Sequence, residues 1–225
     1  MNVSILASFA LSIPAFAADR TKAFDAKHKA CLERIAEDSE QAYEEAMIWR
    51  GDGGGRRAKH CEAMALFALG HEGEAARRLD ELAKGSDGGS KEMRADFFSE
   101  AANFWLVAEE MTYAYQSATD GLALVQDHVD LRISRARAYA GSGRYDYAEI
   151  DLTSVLAMAP DRADAFRYRA DARFNQNKLD EAHQDIENSL HLDDTVVETA
   201  LLRGQIKEAI RKRAKTLVEK SPNNP

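Results

Sequence analysis

Scarcity frames this chain. It has two cysteines and four prolines in 225 residues, so it is neither a disulfide-stapled miniature fold nor a proline-rich disordered chain. Basic residues are outnumbered, 30 against 38 acidic ones for a net charge of −8, which argues against a general nucleic-acid binder. Beyond residue 17 no apolar run is long enough to span a membrane, so no stable membrane insertion is expected. The motifs of chemistry are also missing. Gly53-Gly54-Gly55 follows a helical pattern rather than a strand, and no Lys-Ser/Thr pair follows it, so it is not a phosphate loop. There is no nucleophile elbow, and His71, His128, His183 and His191 are scattered without ligand spacing. Carboxylates abound, but on helical stretches whose outer faces must be polar. The reading is therefore not an enzyme, with no cofactor and no resident metal.

What the chain does have is a repeat. Val129–Arg162 aligns without a gap on Ala163–Val196, the two stretches being equal in length. Arg135 falls on Arg169, Ala136 on Ala170, Ala138 on Ala172, Ala148 on Ala182 and Leu156 on Leu190. Alanines at slots 8 and 20 let two helices approach closely, and larger residues at slots 4, 11 and 24 (Phe166, Tyr139, Leu152, Ile186) fill the space between neighbours. Gly143 and Asn177 sit where a left-handed residue would end the first helix, and Pro160 stops the second. One period earlier, Phe98, Ala102, Trp105, Ala114 and Ala118 fill the same slots. A looser copy, with Ala63, Leu66, Gly70, Ala75, Leu79 and Leu82, is offset by the turn-rich Gly85–Ser90.

A helix pair recurring at a period of about 34 residues resembles the tetratricopeptide (TPR) repeat. The resemblance implies an all-α fold: a right-handed superhelical stack of antiparallel helix pairs, a TPR-like solenoid. Arg132 at slot 4 and Asp194 at the slot of the closing proline depart from the pattern. The expected organisation is a signal peptide over 1–17, a helical hairpin over 18–55, repeats over 56–94, 95–128, 129–162 and 163–196, and a basic capping helix and tail over 197–225.

The stretch 1–17 carries no charged side chain and ends in Ala15-Phe16-Ala17, a small-residue cleavage pattern with Pro14 just upstream. It reads as a secretory signal, although the usual early Lys or Arg is missing; the competing reading is a buried N-terminal helix. Phe24, His28, Cys31, Leu32 and Ile35 then recur at helical spacing, and Asp38-Ser39 caps a second helix carrying Ala42, Tyr43, Ala46 and Trp49. Cys31-Leu32, Ala42-Tyr43, Ala46, Trp49, Gly53-Gly54-Gly55, His60-Cys61, Ala65-Leu66, Leu69-Gly70 and Glu74-Ala75-Ala76 resemble a family of exported TPR proteins of alpha-proteobacteria. That resemblance implies a periplasmic repeat protein and brings no assigned reaction.

Two cysteines in an exported chain suggest a Cys31–Cys61 disulfide. Buried free thiols, or a metal site of His28, Cys31, His60 and Cys61, are the rivals; the adjacent His60 and Cys61 would point about 100° apart on a helix, which suits a tetrahedral ion poorly. The C-terminal stretch 197–225 holds seven basic residues against three glutamates, a solvated end face that also allows weak contact with an acidic partner or surface.

In this repeat class the first helix of each pair lines the inner surface. The resulting candidate binding residues are Asn103, Arg137, Arg167, Asp171 and Phe174, the arginines to hold a carboxylate and Phe174 to anchor an apolar group. The carboxylate-clamp pattern is matched by Asn103, but not by Ser99, Ser134, Asp164 or Tyr168. The leading expectation is a periplasmic scaffold binding a protein or peptide in a concave groove. The alternative is an accessory subunit of a cell-envelope enzyme or assembly complex.

Overall fold

The computed structural model describes residues 13–219. Most of the expected signal peptide, residues 1–12, lies outside that range, as does the tail from 220. Among the described residues there are eleven α-helices and no strand, and they divide into two units at His71/Glu72.

The first unit holds α1 (Ile13–Glu37), α2 (Ser39–Gly51) and α3 (Gly55–Ala68), each packed on the other two. Asp38 caps α2, its carboxylate accepting the Gln41 amide at 2.9 Å. Gly53, at φ 83°, ends it. Gly54 has no room for a side chain: an added Cβ would lie 2.7 Å from Ala58 and from the Trp49 ring. The core is small, with Ala42, Ala46, Trp49, Ala58 and Cys61 buried, and the Cys31–Cys61 disulfide ties α1 to α3 with Cα atoms 6.3 Å apart.

The second unit runs α4 (Glu72–Lys84), α5 (Lys91–Val107), α6 (Met111–Leu124), α7 (Val129–Gly141), α8 (Tyr145–Met158), α9 (Ala163–Asn175), α10 (Leu179–Leu192) and α11 (Val197–Glu219), each packed on the next. The division at residue 71 falls inside the stretch 56–94 that the sequence reads as one loose repeat. Three helix pairs, α5/α6, α7/α8 and α9/α10, turn at Glu109, Gly143 and Asn177, which occupy one slot in successive periods and all have positive φ, 59°, 73° and 60°. The closing hydrogen bonds are equivalent too: Glu110 N to Trp105 O, Arg144 N to Tyr139 O and Lys178 N to Arg173 O, each 2.9 Å. Gly and Asn accept this conformation readily; Glu109 carries its strain.

Packing follows the slots. Ala102, Ala114, Ala136, Ala148, Ala170 and Ala182 are wholly buried, and so are Leu152 and Ile186, each worth about 1.5–3 kcal/mol of burial. Inside the last two pairs lies an ion pair between first and second helix. Arg135 donates twice to Asp151 (2.7 and 2.8 Å), and one period later Arg169 donates twice to Asp185 (2.8 and 2.7 Å). Both carboxylates are buried. In the α5/α6 pair that slot is Ser117, whose hydroxyl donates to Asp80 of α4 at 2.8 Å, as does Trp105 Nε1. After α10 the chain makes one unbroken 23-residue helix, α11, which covers Ala170, Ala182 and Ile186 with Leu202 and Ile206.

Candidate functional site

Helix α7 lies against both α5 and α9, so the first helices of three successive pairs share one face of the second unit. Helical periodicity brings slots 5, 6 and 9 together there. On α9 these are Arg167, Tyr168 and Asp171; on α7, Ile133, Ser134 and Arg137; on α5, Ser99, Glu100 and Asn103. Tyr168 is the centre. Its ring packs against the α7–α9 core, and two guanidinium groups lie on it: Arg167 at 4.3 Å and Arg137 at 5.2 Å from the ring centre.

Arg137 is held from the other side. Its Nη1 donates to Asn103 Oδ1 at 3.0 Å, Ser134 donates to the same oxygen at 3.4 Å, and Asn103 Nδ2 donates to the Ser99 carbonyl at 3.0 Å. Asn103 therefore positions Arg137 from the neighbouring helix. Charge distribution sets these two arginines apart from most of their neighbours; Arg144, on Tyr139 and Tyr147, also lacks an ion pair among the described residues. Arg132, Arg135, Arg162, Arg169 and Arg173 of the same region all sit in ion pairs, Arg162 with both Asp130 and Asp164. Neither Arg137 nor Arg167 has a carboxylate within ion-pair distance among the described residues.

Beside them is a cavity of about 280 Å³ lined by Ala136, Arg137, Ala140, Gly141, Tyr145, Leu152, Tyr168 and Asp171. Ala140 and Gly141 are its small apolar lining, with the wholly buried Ala136 and Leu152 behind, and Tyr145, Tyr168, Arg137 and Asp171 bring polar atoms to it. Asp171 is half-buried, and that burial pushes its carboxyl above the ordinary range; the Asn175 hydrogen bond and the charge of Arg167 pull the other way without cancelling it. Of the residues expected from sequence, the structure gathers Asn103, Arg137, Arg167 and Asp171. Phe174 is elsewhere, packed on the core between α9, α10 and α11. Sequence reasoning missed Tyr168 as an organiser, noting it only as a departure from the clamp pattern; an aromatic in the slot after Arg167, one period beyond Ser134, was the available signal.

A larger hollow of about 520 Å³ lies between α10 and α11, lined by Asp180, His183, Lys207, Ile210 and Arg211. Its charges are already matched: Arg213 to Asp180 at 2.7 Å, Lys207 to Glu187 at 3.1 Å, Arg211 to Glu208 at 3.4 Å. Size favours this hollow, but a ligand there would displace existing pairs, whereas the face around Tyr168 offers cations with none to displace. In the first unit, His28 Nε2 and His60 Nδ1 are 2.9 Å apart near the disulfide. Among the described residues no three His, Cys, Asp or Glu are grouped to hold a metal ion, and no helix is long and apolar enough to cross a membrane.

No family model matches the chain, and no curated protein matches it in sequence. Solved structures do. The first TPR domain of human RPAP3 is 26% identical with a TM-score of 0.52, over 54% of this chain and 95% of that domain. The first TPR of Spaghetti (RPAP3), bound to the HSP90 peptide SRMEEVD, is 26% identical with a TM-score of 0.51, over 56% of this chain and 99% of its own. MamA is 16% identical at a TM-score of 0.61, over 72% of this chain and 92% of its own. The fold is that of TPR domains: all-α, a stack of antiparallel helix pairs.

Proposed function

We propose that this chain is a periplasmic scaffold, exported by residues 1–17, that binds a protein or peptide partner on the α5–α7–α9 face and performs no chemistry of its own. The observation that carries the binding reading is the convergence of two arginines, 137 and 167, on one ring, Tyr168, with no carboxylate in ion-pair distance among the described residues, beside Arg132, Arg135, Arg162, Arg169 and Arg173, which are paired. Arg144, also without an ion pair there, lies apart on Tyr139 and Tyr147. Cations held ready without a direct carboxylate contact suit a partner that brings the anion. One similar TPR structure is relevant here: the first TPR of Spaghetti (RPAP3) was solved with the HSP90 peptide SRMEEVD, itself rich in acidic residues. The disulfide supports export, because such bonds persist in oxidising compartments.

The test is cross-linking and co-purification from the periplasm of the native host. Arg137→Ala with Arg167→Ala is expected to release the partner at least tenfold more readily than Arg211→Ala with Lys212→Ala. If the α11 pair matters more, the basic terminal helix is the interface and this reading is wrong. Mature protein still carrying residues 1–17 by mass spectrometry would remove the export claim.

A further inference from the structure

Resting on that reading, we infer that the α7–α9 cavity is a side-chain pocket: the face recognises an internal segment in which an aromatic or large apolar residue follows or precedes an acidic one, rather than a chain terminus. The cavity, about 280 Å³, lies just under the size of pockets that take whole small ligands, roughly 300–1,000 Å³, and so suits one large side chain. Ala136 and Leu152 lie behind its surface with almost no exposure, so its accessible apolar lining comes from Ala140, Gly141 and the Tyr145 and Tyr168 side chains. Such a hole favours an apolar or aromatic anchor, the kind of contact that dominates interface energetics.

The charges then fix what flanks the anchor. Arg137 lines the cavity and Arg167 shares its Tyr168 wall, so a carboxylate on the adjacent residue reaches two guanidinium groups as the anchor seats. Asp171 lines the same cavity, and its charge disfavours a segment that brings a second acid there. The arginines are pre-ordered by Tyr168 and Asn103, so little side-chain freedom is lost on binding. None of these contacts needs a free terminal carboxylate.

The experiment measures binding of fluorescent acetylated, amidated peptides of the type Gly-Ser-Glu-Phe-Ser-Gly to the full chain by anisotropy. Replacing Phe by Ala is expected to weaken binding at least tenfold, and replacing Glu by Gln at least fivefold. Filling the cavity through Ala140→Phe should mimic the loss of the aromatic, with the helical circular-dichroism signal checking the fold. The peptide substitutions test the pocket independently of that variant's folding. Binding that depends on Glu and on Arg137 and Arg167 but not on the aromatic overturns the pocket and leaves the scaffold reading standing. No dependence on the two arginines, or no binding at all by amidated peptides, overturns the pocket; the periplasmic cross-linking then decides the scaffold reading by itself.

Discussion

At the scale of residues, the site is a question of which charges are already satisfied. Glu149 shows the satisfied case. Burial opposes its ionisation, yet hydrogen bonds from Lys178, Arg173 and Gln176 outweigh it and hold the carboxyl down to about 2. Asp171 is the opposite case, raised by burial with only Asn175 donating to it among the described residues. Its negative charge beside the arginines works against an acidic partner. Lowering the pH through the raised pKa of Asp171 neutralises that charge, while a bound carboxylate facing two guanidinium groups stays ionised to lower pH. Affinity for an acidic peptide should therefore rise as the pH falls through that raised pKa. Asp171→Asn should raise it about three- to tenfold at neutral pH and flatten the pH dependence. Titrating the peptide against both proteins from neutral pH down into the carboxylate range checks this, and unchanged affinity in the variant would show that Asp171 does not face the ligand.

At the scale of elements, the slots that sequence reveals are those where packing leaves one choice. Ala136, Ala148, Ala170 and Ala182 recur because two helices must touch there, and Gly143 and Asn177 because the turn needs positive φ. Glu109 was invisible as a turn residue, since side-chain chemistry gave no sign that the α5/α6 turn shares the same left-handed geometry. The buried Arg135–Asp151 and Arg169–Asp185 pairs were half visible. The arginines were aligned, but a charged residue on a second helix reads as solvent-facing until its partner is seen. Phe174 was misleading for the reverse reason: a large aromatic at an inward slot serves the core once α11 packs over it. The ion pairs make their own forecast. Asp151→Leu alone should destabilise the second unit by about 3–5 kcal/mol, because it strands a guanidinium that is mostly shielded from water. Arg135→Met added to it should recover more than half of the loss, since a buried pair replaced by apolar groups of similar size is close to neutral. Urea unfolding of the three proteins measures it, and a double variant no more stable than Asp151→Leu would refute that account.

At the scale of the molecule, the two units are stabilised by different means. The second buries a run of cores along α4–α11, from Phe98, Leu122 and Leu131, through Leu152 and Val155, to Ile186 and Ile206. The first has three helices and a small, alanine-rich interior around Trp49 and the disulfide. A chain segment of that size rarely gains enough from burial alone, and a covalent tie offsets the deficit. Cys31 and Cys61 are 30 residues apart, so their bond removes about 3 kcal/mol of loop freedom from the unfolded state. Reduction should thus act locally. Hydrogen exchange of the amides of α1–α3 is expected to accelerate about a hundredfold with dithiothreitol, the factor that about 3 kcal/mol implies, while the amides of α5–α10 keep their protection. Cys31→Ala with Cys61→Ala should show the same pattern without reductant, which separates loss of the bond from effects of the reagent. Uniform acceleration along both units would mean that the chain unfolds as one cooperative body. No acceleration in α1–α3 would mean that the small core suffices, and the disulfide would then contribute nothing to holding the unit folded.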